Sequence, residues 1–238
     1  MATLSGLTTI LFGATGDQGI IQDVSYYPSA TERINDAVSA IASGVRMPNG
    51  QISPPLPELY TSGTVITSTT LPYKALPATY QRGLFMVSDS SGNQVYPPSG
   101  GDYYSFALFV KGATEKDLSQ TGSVSTVCVK GLNLYYQGIP SAAETLTVHF
   151  YRKPVEMDAL TETPDGIPEH LQKKLIKHYV AMDVFGSNIE EDFNGRAYKF
   201  HSAKFYETMQ DLIDFIGIDS GPMYYGTGND YVDLGACD

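Results

Sequence analysis

A chain of 238 residues can bury roughly 70 % of its unfolded surface, so its core needs no disulfide or metal staple. With 42 % hydrophobic and 17 % charged residues, 23 Gly and 14 Pro, the composition excludes wholesale disorder and suits a loop-rich protein of strands and helices. A net charge of −11 excludes a broad, sequence-independent grip on a phosphate backbone, while leaving room for a small basic surface.

The first segment has two readings. Thr8-Thr-Ile-Leu-Phe-Gly13-Ala-Thr-Gly16-Asp-Gln-Gly19 has the glycine spacing of a strand running into a dinucleotide phosphate loop, where backbone N–H groups and a helix N-terminus cradle a pyrophosphate. No β-α-β rhythm follows it, which that loop requires. The rival is a short helix with Leu4, Leu7, Ile10 and Leu11 on one face, ended by the glycines. Ser29-Ala-Thr-Glu32 then reads as a capping box. Behind it Ile34, Val38, Ile41 and Val45 form an apolar helical stripe. Met47 to Pro57 is rich in Pro, Gly and Asn and closes this part of the chain.

From about Gly63 to Arg152 the period switches to two. Thr64–Thr70, Leu84–Val87, Tyr103–Val110, Ser125–Lys130, Leu132–Tyr136 and Leu146–Tyr151 are strand candidates, separated by turn residues and by no helix, which predicts an antiparallel sheet or sandwich. Lys153-Pro154 stops the last strand. Asp165-Gly-Ile-Pro168-Glu169 opens a helix, with Asp165 a candidate cap and Pro168 preset for the first turn. Leu171, Leu175, Tyr179 and Met182 are its stripe, and Gly186 ends it. After a polar connection, Tyr198, Ser202, Phe205, Met209, Leu212 and Ile216 recur at helical spacing, the pattern of an antiparallel helix pair. The fold class that follows is α+β: a small antiparallel helical bundle of N- and C-terminal helices, interrupted by an antiparallel β block and followed by an extended arm. The boundaries fall at residues 1–57, 58–152, 153–217 and 218–238.

Chemistry is thin along the chain. His149, His170, His178 and His201 show no zinc-ligand spacing, there is no nucleophile elbow, and Cys128 and Cys237 read as free thiols of a reducing compartment. Glu190-Glu191-Asp192 reads as a solvated loop. No apolar run is long enough to span a membrane, and the N-terminus lacks a basic leader. No catalytic, cofactor-binding or metal-binding residue is assigned. Lys173, Lys174 and Lys177 make a basic ridge, which is either plain solvation or a contact for passing phosphate or an acidic partner. On the last helix Arg196, Lys199 and Lys204 precede Glu207, Asp211 and Asp214. That order opposes the helix macrodipole, and a partner surface or neighbouring copy would account for it.

Several of these segments together resemble a known family. Tyr151-Arg-Lys-Pro154 after a final strand, Asp165-Gly-Ile-Pro-Glu169 opening a helix that ends at Phe185-Gly186, the following helix rich in Tyr, Phe and Lys, Ile34-Asn35-Asp-Ala37, and Leu132-Asn-Leu-Tyr-Tyr-Gln-Gly-Ile-Pro140 are similar to the head-to-tail adaptor (connector or gatekeeper) proteins of tailed phages. The resemblance covers roughly residues 1–217 and departs from the family at Gly13–Gly19 and in the tail. It implies a structural virion protein made in the host cytoplasm and placed at the head–tail junction. There a ring, usually of twelve copies, sits beneath the portal protein, extends the DNA channel and docks tail tube or nozzle proteins. It implies no catalysis and no cofactor.

The tail carries Asp219, Asp230, Asp233 and Asp238 and no basic residue, yet holds Met223, Tyr224, Tyr225, Tyr231, Val232 and Leu234. Tyr and Met are enriched where one protein grips another, so these six are candidate contacts to the portal or a neighbouring subunit. Two other functions stay open on sequence. One is a nucleotide-dependent oxidoreductase built on Gly13–Gly19. The other is a β-sandwich carbohydrate binder using Tyr103, Tyr104, Tyr135 and Tyr136.

Overall fold

In the computed structural model, which describes residues 2–15, 30–98, 102–113, 118–186 and 192–217, the chain is mixed α+β. The described helices are α1 (Leu4–Thr15), α2 (Ala30–Ser43), α3 (Phe106–Gly112), α4 (Glu169–Gly186) and α5 (Asp192–Ile216). The strands are β1 (Tyr60–Ile66), β2 (Tyr73–Ala75), β3 (Tyr80–Ser88), β4 (Thr126–Lys130), β5 (Asn133–Gln137) and β6 (Thr145–Arg152). They form two antiparallel three-stranded sheets, in the orders β1-β6-β3 and β2-β5-β4. The chain divides into two compact units. A helical unit takes the described residues up to Thr61, Thr79–Gly83 and those from Phe150 onward; a β unit takes Ser62–Ala78 and Leu84–His149. The chain passes from one unit to the other within β1, between β2 and β3, within β3 and within β6.

The helical unit is organised by one apolar core. Leu4, Leu7 and Leu11 of α1, Ile34, Val38 and Ile41 of α2, Leu171 and Leu175 of α4, and Phe205, Met209 and Leu212 of α5 belong to a single buried cluster. The first segment is thus a helix, with Gly13 inside it. Thr8–Phe12, which the phosphate-loop reading needs as a strand, is helical; Gly16 and Gly19 lie outside the described residues, as does Ser29 of the capping box. The α4 stripe is wider than its sequence pattern, because Gln172, Ile176, Val180, Ala181 and Val184 are buried as well. Packed between α1, α2 and α5, that helix shows little of its circumference to water, and a single-stripe reading underestimates it. Gln172 meets its buried polar demand in full: its Oε1 accepts the Ala2 N–H at 3.2 Å and its Nε2 donates to the Pro164 and Ile167 carbonyls.

In the β unit the sequence expectation needs three corrections. Tyr103–Val110 is not a strand; it leads into α3. Asp102 Oδ1 accepts the Tyr104 N–H at 2.9 Å and the Ser105 hydroxyl at 3.0 Å. This side-chain turn breaks the extended run and starts a helix that buries Phe109. Thr64–Thr70 slides back to Tyr60–Ile66, because Ser68 Oγ accepts the N–H groups of Thr70 and Leu71 and turns the chain there. The short β2 carries no period of its own and exists by pairing: Tyr73 opposes Tyr135 and Ala75 opposes Asn133. β6 keeps its alternation, with Leu146, Val148 and Phe150 fully buried.

Candidate interaction surfaces

Two of the segments that carry the family resemblance meet in space. Arg152, at the end of β6, donates to Asp165 through both terminal nitrogens, at 2.5 and 3.2 Å, and Asp165 also accepts the Val155 N–H at 2.8 Å. Asp165 therefore does not cap α4, as its position suggested; it clamps the strand exit. Burial raises its carboxyl pKa, but the Arg152 hydrogen bonds, the Val155 N–H and the Arg152 charge together outweigh this and hold the group below its ordinary value. Next to it, Gly166 sits at φ +77°, where a Cβ would press into Leu59, so no other residue fits that turn without strain. Asn35, in the α2 segment, holds the same connection from the other side. Its amide donates to the Met157 carbonyl at 3.1 Å and its carbonyl accepts the Met157 N–H at 3.0 Å. These residues build a frame; none is left over for chemistry.

The α4–α5 hairpin carries the exposed functional candidates. Lys173 and Lys174 are exposed and Lys177 half-buried on α4. On α5 Lys204 closes on Glu207 at 2.6 Å. The Glu207 carboxyl is held below its usual range first by this Lys204 bond and further by Lys174. The charge order of α5 thus has a local explanation that its own sequence could not supply. The neighbouring helix runs antiparallel and lays a lysine beside the acidic half, offsetting the unfavourable dipole interaction. Phe200 and Phe215 are more than half exposed, and each leans on an α4 histidine: Phe215 meets His170 edge-on at 4.9 Å and Phe200 meets His178 at 6.2 Å.

Sequence spacing hid one pair altogether. His178 and His201, on different helices, bring their Nδ1 atoms to 2.9 Å, one imidazole donating and the other accepting. Phe185 stacks on His201 and Phe200 lies edge-on to it. Burial, then His201, Lys177 and Lys204, lower the His178 pKa from 6.5 to about 4 against the opposing pull of Glu207, and burial and Lys177 lower that of His201. Only the unfolded chain takes up protons at these sites as pH falls below 6.5, so their contribution to stability is full above 6.5 and is lost on the way down to about 4. The expected result is a melting temperature that drops across this window in the parent protein and drops less in a His178→Gln/His201→Gln variant, read by circular dichroism at a series of pH values.

Elsewhere the candidates serve structure. A cleft of about 250 Å³ is lined by Arg33, Asp36, Tyr179, Val180 and Asp183, and Arg33 reaches Asp183 at 2.5 Å across it. The four tyrosines of the carbohydrate reading do not form an open platform. Tyr103 is buried and donates to the Val95 carbonyl at 3.0 Å. Tyr136 is fully buried, accepts the Ser68 N–H at 2.6 Å and donates to the Leu71 carbonyl at 2.8 Å. Tyr104 accepts the Leu84 N–H, and Tyr135 packs on Tyr73 and Phe106. Cys128 is buried, with its thiol pushed up to about 12 first by burial, then by Asp102, which makes it a poor nucleophile. Among the described residues no three His, Cys, Asp or Glu side chains converge to hold a metal, and no helix is long and apolar enough to cross a membrane. Met223, Tyr224, Tyr225, Tyr231, Val232 and Leu234, like Cys237, lie outside the described residues. Compared with known proteins, the chain matches no family model and no curated sequence.

Proposed function

We propose that this chain is a structural virion component, a connector rather than an enzyme. More particularly, it is a head-to-tail adaptor that assembles as a ring beneath a portal protein, extends the DNA channel and presents a docking surface to tail tube or nozzle proteins. One observation supports this reading above the others. A single core joins Leu7 and Ile34, near the start of the chain, to Leu175 and Phe205, near its end, with the β block inserted between them. That is the layout the family resemblance implies. The residues that carry the resemblance also do common work, with Asn35, Arg152 and Asp165 framing the connection from β6 to α4.

In this reading Met223, Tyr224, Tyr225, Tyr231, Val232 and Leu234 contact the portal or an adjacent subunit, and the chain is made in the host cytoplasm before joining the virion. The net charge of −11 gives a channel wall that is mostly acidic or neutral, along which DNA slides rather than sticks. Electron microscopy and native mass measurement of the purified protein, alone and with portal-bearing heads, test it. The expected result is a closed ring of about twelve copies that decorates the heads and binds free duplex DNA weakly at physiological salt. A monomer that ignores the heads, or a tight duplex complex, would count against it.

A further inference from the structure

The two halves of α5 are held by different chemistry. From Phe205 onward the helix places Phe205, Met209 and Leu212 in the buried core cluster. Between Asn194 and Lys204 the only buried residue is His201, at 7 % exposure. An imidazole thus stands one turn before Phe205, where the apolar stripe would continue. His178 of α4 meets it at 2.9 Å between Nδ1 atoms, Phe185 stacks on it at 5.7 Å and Phe200 lies edge-on at 5.2 Å. Tyr198, half-buried, lies over Gly186. The end of α4 is seated on the core by Val180 and Val184. What depends on the histidine pair is therefore the first half of α5.

The pair holds only while one ring donates and the other accepts. A first proton can enter at the Nε2 lone pair of the donating ring and leave the bond standing. A second has to take the accepting Nδ1 itself, after which both rings only donate and two cations face each other. The surroundings oppose charge here as well. Lys177 of α4 disfavours it on both rings, and Lys204 of α5 on His178. Glu207 acts the other way on His178, but it is bound to Lys204. Of the other helices packed on α4, α1 has no titratable residue. The α2 residues Arg33 and Asp36 face Tyr179 and Asp183 across their own cleft.

We propose that His178 and His201 form an acid-sensitive latch, which releases the first half of α5, as far as Lys204, from α4 while the second half stays in the core. Once apart, both imidazoles take up in water the protons that the docked pair refuses, so acid drives the release. The latch needs one chain only and does not rest on the ring, so the two readings can fail separately.

The test is amide hydrogen exchange of the full-length protein between pH 7 and 5, with each rate corrected for intrinsic exchange at that pH. The opening constant at residues 196–204 is expected to rise by about twentyfold or more over this range. That is the effect of at least one proton taken up by a group whose pKa goes from about 4 when docked to 6.5 when released. At pH 5 it should exceed the constant at residues 205–213 by about tenfold or more, because the first half opens without the second. In His178→Gln/His201→Gln, whose side chains still hydrogen-bond but do not titrate in this range, the rise should be absent. Equal constants in the two halves of the parent at pH 5 would mean that α5 opens only as a whole, and would overturn the proposal whether or not the variant folds. An undiminished rise in the variant would overturn it too, by assigning the effect to other groups.

Discussion

Leu175→Ala and Phe205→Ala are each expected to lower the unfolding free energy by about 2–5 kcal/mol, the usual consequence of emptying a close-packed site. Leu175 is fully buried and Phe205 is 1 % exposed. Both sit in the cluster that also holds Ile34, Val38, Ile41, Met209 and Leu212. Phe205 additionally meets Tyr179 edge-on at 5.4 Å and packs against Tyr206, contacts an alanine cannot make. Denaturant titration followed by circular dichroism should show the midpoint falling in both variants with the slope unchanged. Midpoints equal to the parent's would mean that the N- and C-terminal helices do not share a core.

The second large effect is expected at a single glycine of the β unit. Gly138 follows β5 at φ +86°, and a Cβ built there runs into the Ser123 carbonyl. The approach is enforced by hydrogen bonds on both sides: the Gly122 N–H donates to the Ile139 carbonyl at 2.9 Å, and the Ile139 N–H donates to the Gln120 carbonyl at 2.8 Å. Gly138→Ala must therefore accept left-handed backbone strain and open this pairing together. The expected cost is about 3 kcal/mol or more. Gly92→Ala is the control, since Gly92 also has positive φ (82°) but nothing within 4 Å of its Cβ position; it should show the strain component alone. Equal losses in the two variants would mean that the Ser123 contact contributes nothing.

What the amino-acid sequence determined by itself is what depends on near neighbours. The α4 and α5 stripes, the alternation of Leu146, Val148 and Phe150 in β6, and the end of that strand at Pro154 are set by periodicity and local sterics, so the α+β class and the helix pair were legible. Leu4, Leu7 and Leu11 already marked the first segment as a helix against its glycine decoy. Tertiary structure decided what depends on residues far apart in the chain. Asp102 accepting from Tyr104 and Ser105 is not of that kind: it is a near-neighbour turn, and the alternation of Tyr103–Val110 masked it. Asp165, a fair cap by position, was claimed instead by Arg152, because a bidentate ion pair in a half-buried setting outweighs one capping bond. Lys174 beside Glu207 and His178 beside His201 come from antiparallel packing of two helices, and no spacing within either helix encodes it. Helix phase says which residues share a face; only the packing of one face on another says which side chains meet, and with them which charges are neutralised and which imidazoles are kept from protonation.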